Sequence, residues 1–272
     1  MPARIRAVAA STHPGPALAV TAITIGLAIA NGLEPWRVAL LGVAMLANQL
    51  SVGLSNDWID AERDRAVGRP DKPVARGDVS ERAARNLAFA FAGFALVLTV
   101  PLGWPALALH AVVLVGAWSY NAGLKNSVFS PLPYAVCFGL LPALVTLSGA
   151  QPTWPSGWVM AAGALLGIAA HFANVLPDLD DDAATGVQGL GHRIGGRASA
   201  VVAFAALGLA SASLAVELGF SPLAIVGLAL GAAIAAWGLT LALRGRMGRM
   251  LFRLVIAGAI VDVVLLVVAA AL

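Results

Sequence analysis

Asn56, Asp60 and Asp64 recur at every fourth residue of NDWIDAERDRAVGRPDKP (56–73). That step stacks three oxygen-bearing side chains on one face of a helix, about 6 Å apart along its axis. Asp178 and Asp182 repeat the same step later in the chain, with Asp180 and Asp181 between them. Carboxylates gathered so closely repel one another unless a hard cation sits among them, and Mg²⁺ takes a few carboxylates together with water and phosphate oxygens. The two clusters therefore predict a divalent-metal site for a phosphorylated ligand. A single cluster flanked by Arg63, Arg65 and Arg69 could equally be a solvated loop laced with surface ion pairs; the second cluster argues against that. Asp178-x-Asp180-x-Asp182 also imitates the start of a calcium-binding EF-hand loop. Ala183 stands where that loop needs glycine, and Gly189 where it needs its closing glutamate.

Cations accompany both clusters. Arg69, Lys72 and Arg76 follow the first, Arg193 follows the second, and Lys125 lies between them. A diphosphate calls for such donors as well as for metal, and of these Arg69, Lys72, Lys125 and Arg193 are the predicted substrate-binding cations, although each also serves as a topology signal.

The elements that carry these residues are membrane helices. Hydrophobic residues make up 60% of the 272 and mean hydropathy is +0.86, well above what the surface of a water-soluble domain carries. Apolar runs of the length needed to cross about 30 Å of hydrocarbon recur throughout, without the two-residue alternation of a membrane barrel. They predict an all-α integral membrane protein with nine spans, near 16–33, 36–56, 84–102, 105–121, 132–150, 157–175, 198–218, 222–243 and 251–271. Arg4 and Arg6 before the first run imitate a secretory signal, but Pro14 and Pro16 separate them from it and favour an uncleaved helix. With the N-terminus inside, every Lys and Arg except Arg37 falls on one side, which places the N-terminus and both acidic loops in the cytoplasm of a plasma-membrane protein. The pI of about 9.6 then reflects topology and inner-leaflet lipid, and no nucleic-acid partner is required. A lone Cys137 excludes intrachain disulfides and a cysteine-rich metal site.

The two long connections, about 57–83 and 177–197, hold eleven of the fourteen acidic residues. Each ends the second helix of a four-helix set. The expected organisation is a single membrane domain over 1–272, with halves at about 16–121 and 132–243 and a ninth helix at 251–271. Asn48, deeper on the face of Asn56, and Asn174, before Asp178, either line an acceptor pocket or make interhelical hydrogen bonds. His171 is either a base or a structural histidine. Asp262, in the ninth span, is expected to contact a polar neighbour on another helix.

Asn56-Asp57-x-x-Asp60-x-x-x-Asp64 with Gly68-Arg69-x-x-Lys72-Pro73, and Asp178-x-x-x-Asp182 with Gly186-Val187 and Arg193-Ile194-Gly195, resemble the two signatures of the UbiA superfamily of intramembrane prenyltransferases. The helix count and the positions of both motifs after helices two and six extend the resemblance over nearly the whole chain. It implies a UbiA-like bundle around a central cavity, binding an isoprenyl diphosphate through two Mg²⁺ ions. Asn56, Asp60 and Asp64 would hold one ion, Asp178 and Asp182 the other. Tyr120 and Lys125, in SYNAGLK, are similar to the family's tyrosine and lysine beyond helix four, expected near the diphosphate and the ionising carbon. The implied reaction is Mg²⁺-dependent transfer of the isoprenyl group to a small hydrophobic or aromatic acceptor, such as a quinone precursor. For a carboxylated aromatic, Arg69 is the expected anchor. A UbiA-type terpene cyclase, ionising the same diphosphate without an acceptor, is the alternative within the fold. A secondary transporter fits less well, because its ion-binding acids would lie near the bilayer midplane rather than at one rim.

Overall fold

The structure, a computed structural model, describes residues 3–176, 188–246 and 249–271. Among the described residues there are twelve α-helices and no strand: α1 (Ala3–Ser11), α2 (Pro14–Ala30), α3 (Pro35–Ile59), α4 (Ala61–Ala66), α5 (Pro73–Arg76), α6 (Glu81–Thr99), α7 (Trp104–Ala122), α8 (Leu132–Leu147), α9 (Gly157–Val175), α10 (Leu190–Glu217), α11 (Pro222–Leu243) and α12 (Arg249–Ala271). Single 3-10 turns follow α6 and α7. Local chemistry sets many of the starts. The Ser80, Ser156 and Ser221 hydroxyls accept from the backbone N–H three residues on, at the heads of α6, α9 and α11. Prolines, whose missing N–H costs nothing in a first turn, open α2, α3, α5 and α11.

Each of the nine predicted spans falls on a helix. Among the described residues five pass as long and apolar enough to cross a membrane: α3, α6 with its 3-10 turn, α9, α10 and α11. The bent pair α1–α2, with a 60° break, raises the number to six. α7 carries the polar His110 and Asn121 within its 19 residues, and α8 has only 16.

The chain forms two compact units. The first comprises Met1–Ala122 and Leu147–Pro152. Its central helix is α3, packed against α2, α6 and α7. Leu54, Ala61, Val74, Val79, Ala84 and Ala88 form a buried cluster at the end of α3, with Ala7, Val8, Trp58 and Trp118 against it. Gly53 admits the α1–α2 corner: a Cβ there would collide with the Thr12 backbone carbonyl.

The second unit comprises Gly123–Thr146 and Thr153–Leu272. Its central helix is α10, kinked at Gly195 (φ 80°) and packed against α9, α11 and α12. Phe172, Phe204, Leu207 and Leu251 anchor its core among many alanines, the small residues that let membrane helices approach closely. The predicted polar neighbour of Asp262 is Ser211 on α10, whose Oγ lies 2.9 and 3.1 Å from the two carboxylate oxygens. Gly167 packs α9 directly on α8, since a Cβ would run into the carbonyl oxygen of Tyr134. Gly167→Leu is therefore expected to cost about 1–3 kcal/mol through overpacking, read as a fall in unfolding temperature in detergent. An unchanged midpoint would show that the two helices part easily.

Candidate active site

The helical spacing read from the sequence survives the end of α3. The Asp60 N–H donates to the Asn56 carbonyl at 3.0 Å and the Asp64 N–H to the Asp60 carbonyl at 2.8 Å, so the i, i+4 register passes through Asp60 into α4. What the sequence presents as an irregular loop thus begins as a continuation of the membrane helix. A turn at Gly68 (φ 67°) then reverses the chain, and α5 follows.

This reversal brings Lys72 back beside Asn56. The Lys72 ammonium donates to Asp57 Oδ1 at 2.8 Å and to Asn56 Oδ1 at 2.9 Å. The Asn56 amide nitrogen faces the other way, donating to Asp60 Oδ2 at 3.0 Å and reaching Asn121 Oδ1 at 3.4 Å. Asn121, at the end of α7, is itself fixed by donating to the Val52 carbonyl and to Ser55 Oγ. The partners determine the orientation of Asn56: reversed, its NH₂ would abut an ammonium and its oxygen a carboxylate. The sequence has Asn56 presenting an oxygen alongside Asp60 and Asp64; in the structure its nitrogen faces Asp60 and its oxygen faces Lys72.

Asp60 and Asp64 are buried, with Arg63 at 3.1 Å from Asp60 and 3.4 Å from Asp64. Asp64 Oδ2 is buried with no hydrogen-bond partner. Burial pushes the Asp64 carboxyl above its ordinary range and Asp60 adds to this, while Lys72 and Arg63 pull it down. Around this group lie ordinary ion pairs, Arg65–Glu81 at 2.7 Å and Arg76–Asp78, both exposed. The solvated-loop reading holds for that periphery and fails for the buried acids.

The remaining predicted residues are distributed over both units. Arg69 grips Asp71 through Nε and an NH₂ nitrogen, both at 3.0 Å, and its hydrogen bonds hold the Asp71 carboxyl at about 2. Asn48 is fully buried on α3; its oxygen accepts from Gln49 at 3.4 Å and its nitrogen has no hydrogen-bond partner. Tyr120 is half-buried at the end of α7. In the second unit, Lys125 is buried in the 3-10 turn Leu124–Asn126. Arg193 is exposed in the first turn of α10, its Nε donating to the Gln188 carbonyl at 2.8 Å, and Asn174 is exposed on α9. His171 has a structural role: it shares the Ser130 hydroxyl at 3.1 Å with the Leu190 N–H, tying α9 to the start of α10. Asp178 and Asp182 lie outside the described residues.

Two participants have no role assigned in the sequence reading. Asp57 enters there within the first signature and as loop charge, yet it is 1% exposed and pairs with Lys72. His13, at the α1–α2 corner, places Nε2 2.9 Å from Asp57 Oδ1. Neither its type nor its position signals that contact. With Asp57 turned toward Lys72, no three His, Cys, Asp or Glu side chains among the described residues gather as a metal-holding group. The donors that do face one another are hard oxygens, and the unpartnered Asp64 Oδ2 is an acceptor suited to a small divalent cation.

A family model, the UbiA prenyltransferase family, matches residues 17–258. The chain belongs to the UbiA prenyltransferase family. It is 33% identical over 215 residues to the digeranylgeranylglyceryl phosphate synthase of Natronomonas pharaonis, covering 74% of this chain and 73% of that protein. It is 28% identical over 165 residues to the 4-hydroxybenzoate octaprenyltransferase of Pseudoalteromonas atlantica, covering 58% and 57%. Among solved structures, the apo form of a UbiA homolog from Aeropyrum pernix superposes with a TM-score of 0.74 at 20% identity, covering 92% of this chain and 96% of that one. A UbiA homolog from Archaeoglobus fulgidus bound to GPP and Mg²⁺ gives 0.71 at 12% identity, covering 97% and 99%. At those identities the structural likeness establishes the UbiA fold. The family match together with the apolar helices makes this a multi-pass membrane prenyltransferase.

Proposed function

We propose that this UbiA-family protein transfers an isoprenyl group from an isoprenyl diphosphate to a small acceptor within the membrane, in a Mg²⁺-dependent reaction. The observation that carries the reading is the buried Asp60–Asp64 pair at the end of a membrane helix, with an unpartnered carboxylate oxygen and three cations, Arg63, Arg69 and Lys72, on the adjoining turns. Buried acids of this kind weaken a fold unless they bind something. Asp60 and Asp64 would hold one metal ion, with the Asn56 amide nitrogen donating to Asp60 Oδ2 beside it, and Asp178 and Asp182 a second. When bound, Mg²⁺ stabilises the negative charge that develops on the departing diphosphate.

The chain's own groups do the rest. Lys72, Arg69, Lys125 and Arg193 supply cationic donors to the diphosphate, and Tyr120 lies toward the ionising carbon. Apolar helices exclude the water that would capture an allylic cation. The nine predicted spans are all read as crossing the membrane, with the N-terminus and both acidic loops cytoplasmic, as the distribution of Lys and Arg favours.

The relatives bear on the acceptor class. Greater identity over more of the chain lies with the digeranylgeranylglyceryl phosphate synthase than with the 4-hydroxybenzoate enzyme, which favours a phosphoglycerol-bearing lipid precursor over an aromatic quinone precursor. Purified protein with Mg²⁺ and isoprenyl diphosphates of several lengths, offered both acceptor classes and neither, tests this by mass spectrometry. A prenylated phosphoglycerol adduct that disappears with EDTA supports the reading. An aromatic adduct would move the acceptor, a metal-dependent hydrocarbon without acceptor would make the protein a cyclase, and no consumption of diphosphate would refute the activity.

A further inference from the structure

His13 Nε2, Asp57 Oδ1 and Lys72 Nζ form a nearly equilateral triangle, with sides of 2.9, 2.8 and 3.1 Å, the longest joining the two nitrogens. Three polar atoms so placed cannot all be hydrogen-bonded to one another. The carboxylate oxygen only accepts and the ammonium only donates, so the arrangement that avoids apposing an imidazole lone pair and a carboxylate oxygen has His13 Nε2–H and Lys72 both donating to Asp57. The 3.1 Å nitrogen–nitrogen contact is then a consequence and not a bond. A lysine ammonium has three N–H donors. Asp57 takes one and the Asn56 oxygen a second. His13, being a donor here, cannot take the third.

We propose that His13 and Asp57 are positioning residues that aim Lys72 at the diphosphate, leaving one N–H of a nearly buried ammonium for an anionic oxygen. This rests on the prenyl-transfer reading above. The chain invests in the arrangement. His13 sits in the left-handed region (φ 51°, ψ 63°), a conformation that a residue with a Cβ occupies rarely, and Gly53 gives the corner beside it room to seat on α3. Asp57 and Lys72 are buried, whereas the His13 side chain is 38% exposed, so His13 can be changed without opening the core.

The test titrates inorganic diphosphate with Mg²⁺ into the whole detergent-solubilised protein by calorimetry, alongside steady-state kinetics. His13→Ala is expected to weaken inorganic diphosphate binding and raise KM for the isoprenyl diphosphate about tenfold, the worth of one charge-assisted hydrogen bond, with kcat little changed. His13→Gln, whose amide can still donate to Asp57, should recover most of that loss. In a Lys72→Met background, His13→Ala should add nothing. Wild-type affinity in His13→Ala, or a further loss on top of Lys72→Met, overturns the proposal. Asp60→Ala in the same titration tests the parent reading: if it binds Mg²⁺ and diphosphate normally, the metal site itself is misassigned, whatever His13 does.

Discussion

Alanine in place of Asp64 is expected to reduce Mg²⁺-dependent turnover by on the order of 10³-fold while leaving the unfolding temperature unchanged or slightly higher. The two halves of that expectation have one physical origin. Asp64 is 2% exposed, one of its oxygens has no hydrogen-bond partner, and burial opposes its ionisation. A group so placed contributes little to the fold, because the desolvation it suffers is only partly offset by Arg63 at 3.4 Å. Its retention is explained by a ligand that binds it, which is the usual relation between a strained site and stability. Asp60→Ala should abolish turnover similarly but with some loss of stability, since Asp60 accepts from Asn56 and pairs with Arg63. Turnover near wild type in Asp64→Ala would remove it from the site. A large fall in its unfolding temperature would make it structural.

How much of this could be read from sequence follows from the range of the interactions involved. The helices were legible because their signals are local: apolar runs of sufficient length, with proline or serine at many of their starts. The face shared by Asn56, Asp60 and Asp64 was legible because backbone hydrogen bonds carry a single register through Asp60. Which way Asn56 turns was not. It depends on a lysine returned by the Gly68 turn and on Asn121, 65 residues away on α7. Nor was His13, which meets Asp57 across 44 residues through the packing of the α1–α2 corner on Gly53. For Asp262 the pattern gave the kind of neighbour, a polar side chain, while only packing selects Ser211 on α10. The second acidic cluster, Asp178 and Asp182, lies outside the described residues, and its role stays with the proposal.

The largest effect on stability is expected at Asp57. Its side chain is fully buried and that of Lys72 is 11% exposed, so Asp57→Ala strips a nearly buried ammonium of its ion-pair partner and leaves the neutral Asn56 oxygen and the His13 imidazole within hydrogen-bond distance. Breaking a buried pair from one side costs roughly 3–5 kcal/mol, far more than the pair itself contributes. Lys72→Met in the same protein removes the stranded charge and puts an unbranched apolar chain of similar length in its place. The double variant should therefore regain most of the lost stability, as measured by chemical or thermal unfolding in detergent. Turnover should not return with it, because the donor to the diphosphate is gone as well. This separation distinguishes two roles that a single substitution confounds. If restoring stability also restored activity, the Asp57–Lys72 pair would be a structural tie between α3 and α5; if activity stays low in a stable protein, the ammonium is part of the site and Asp57 is what holds it there.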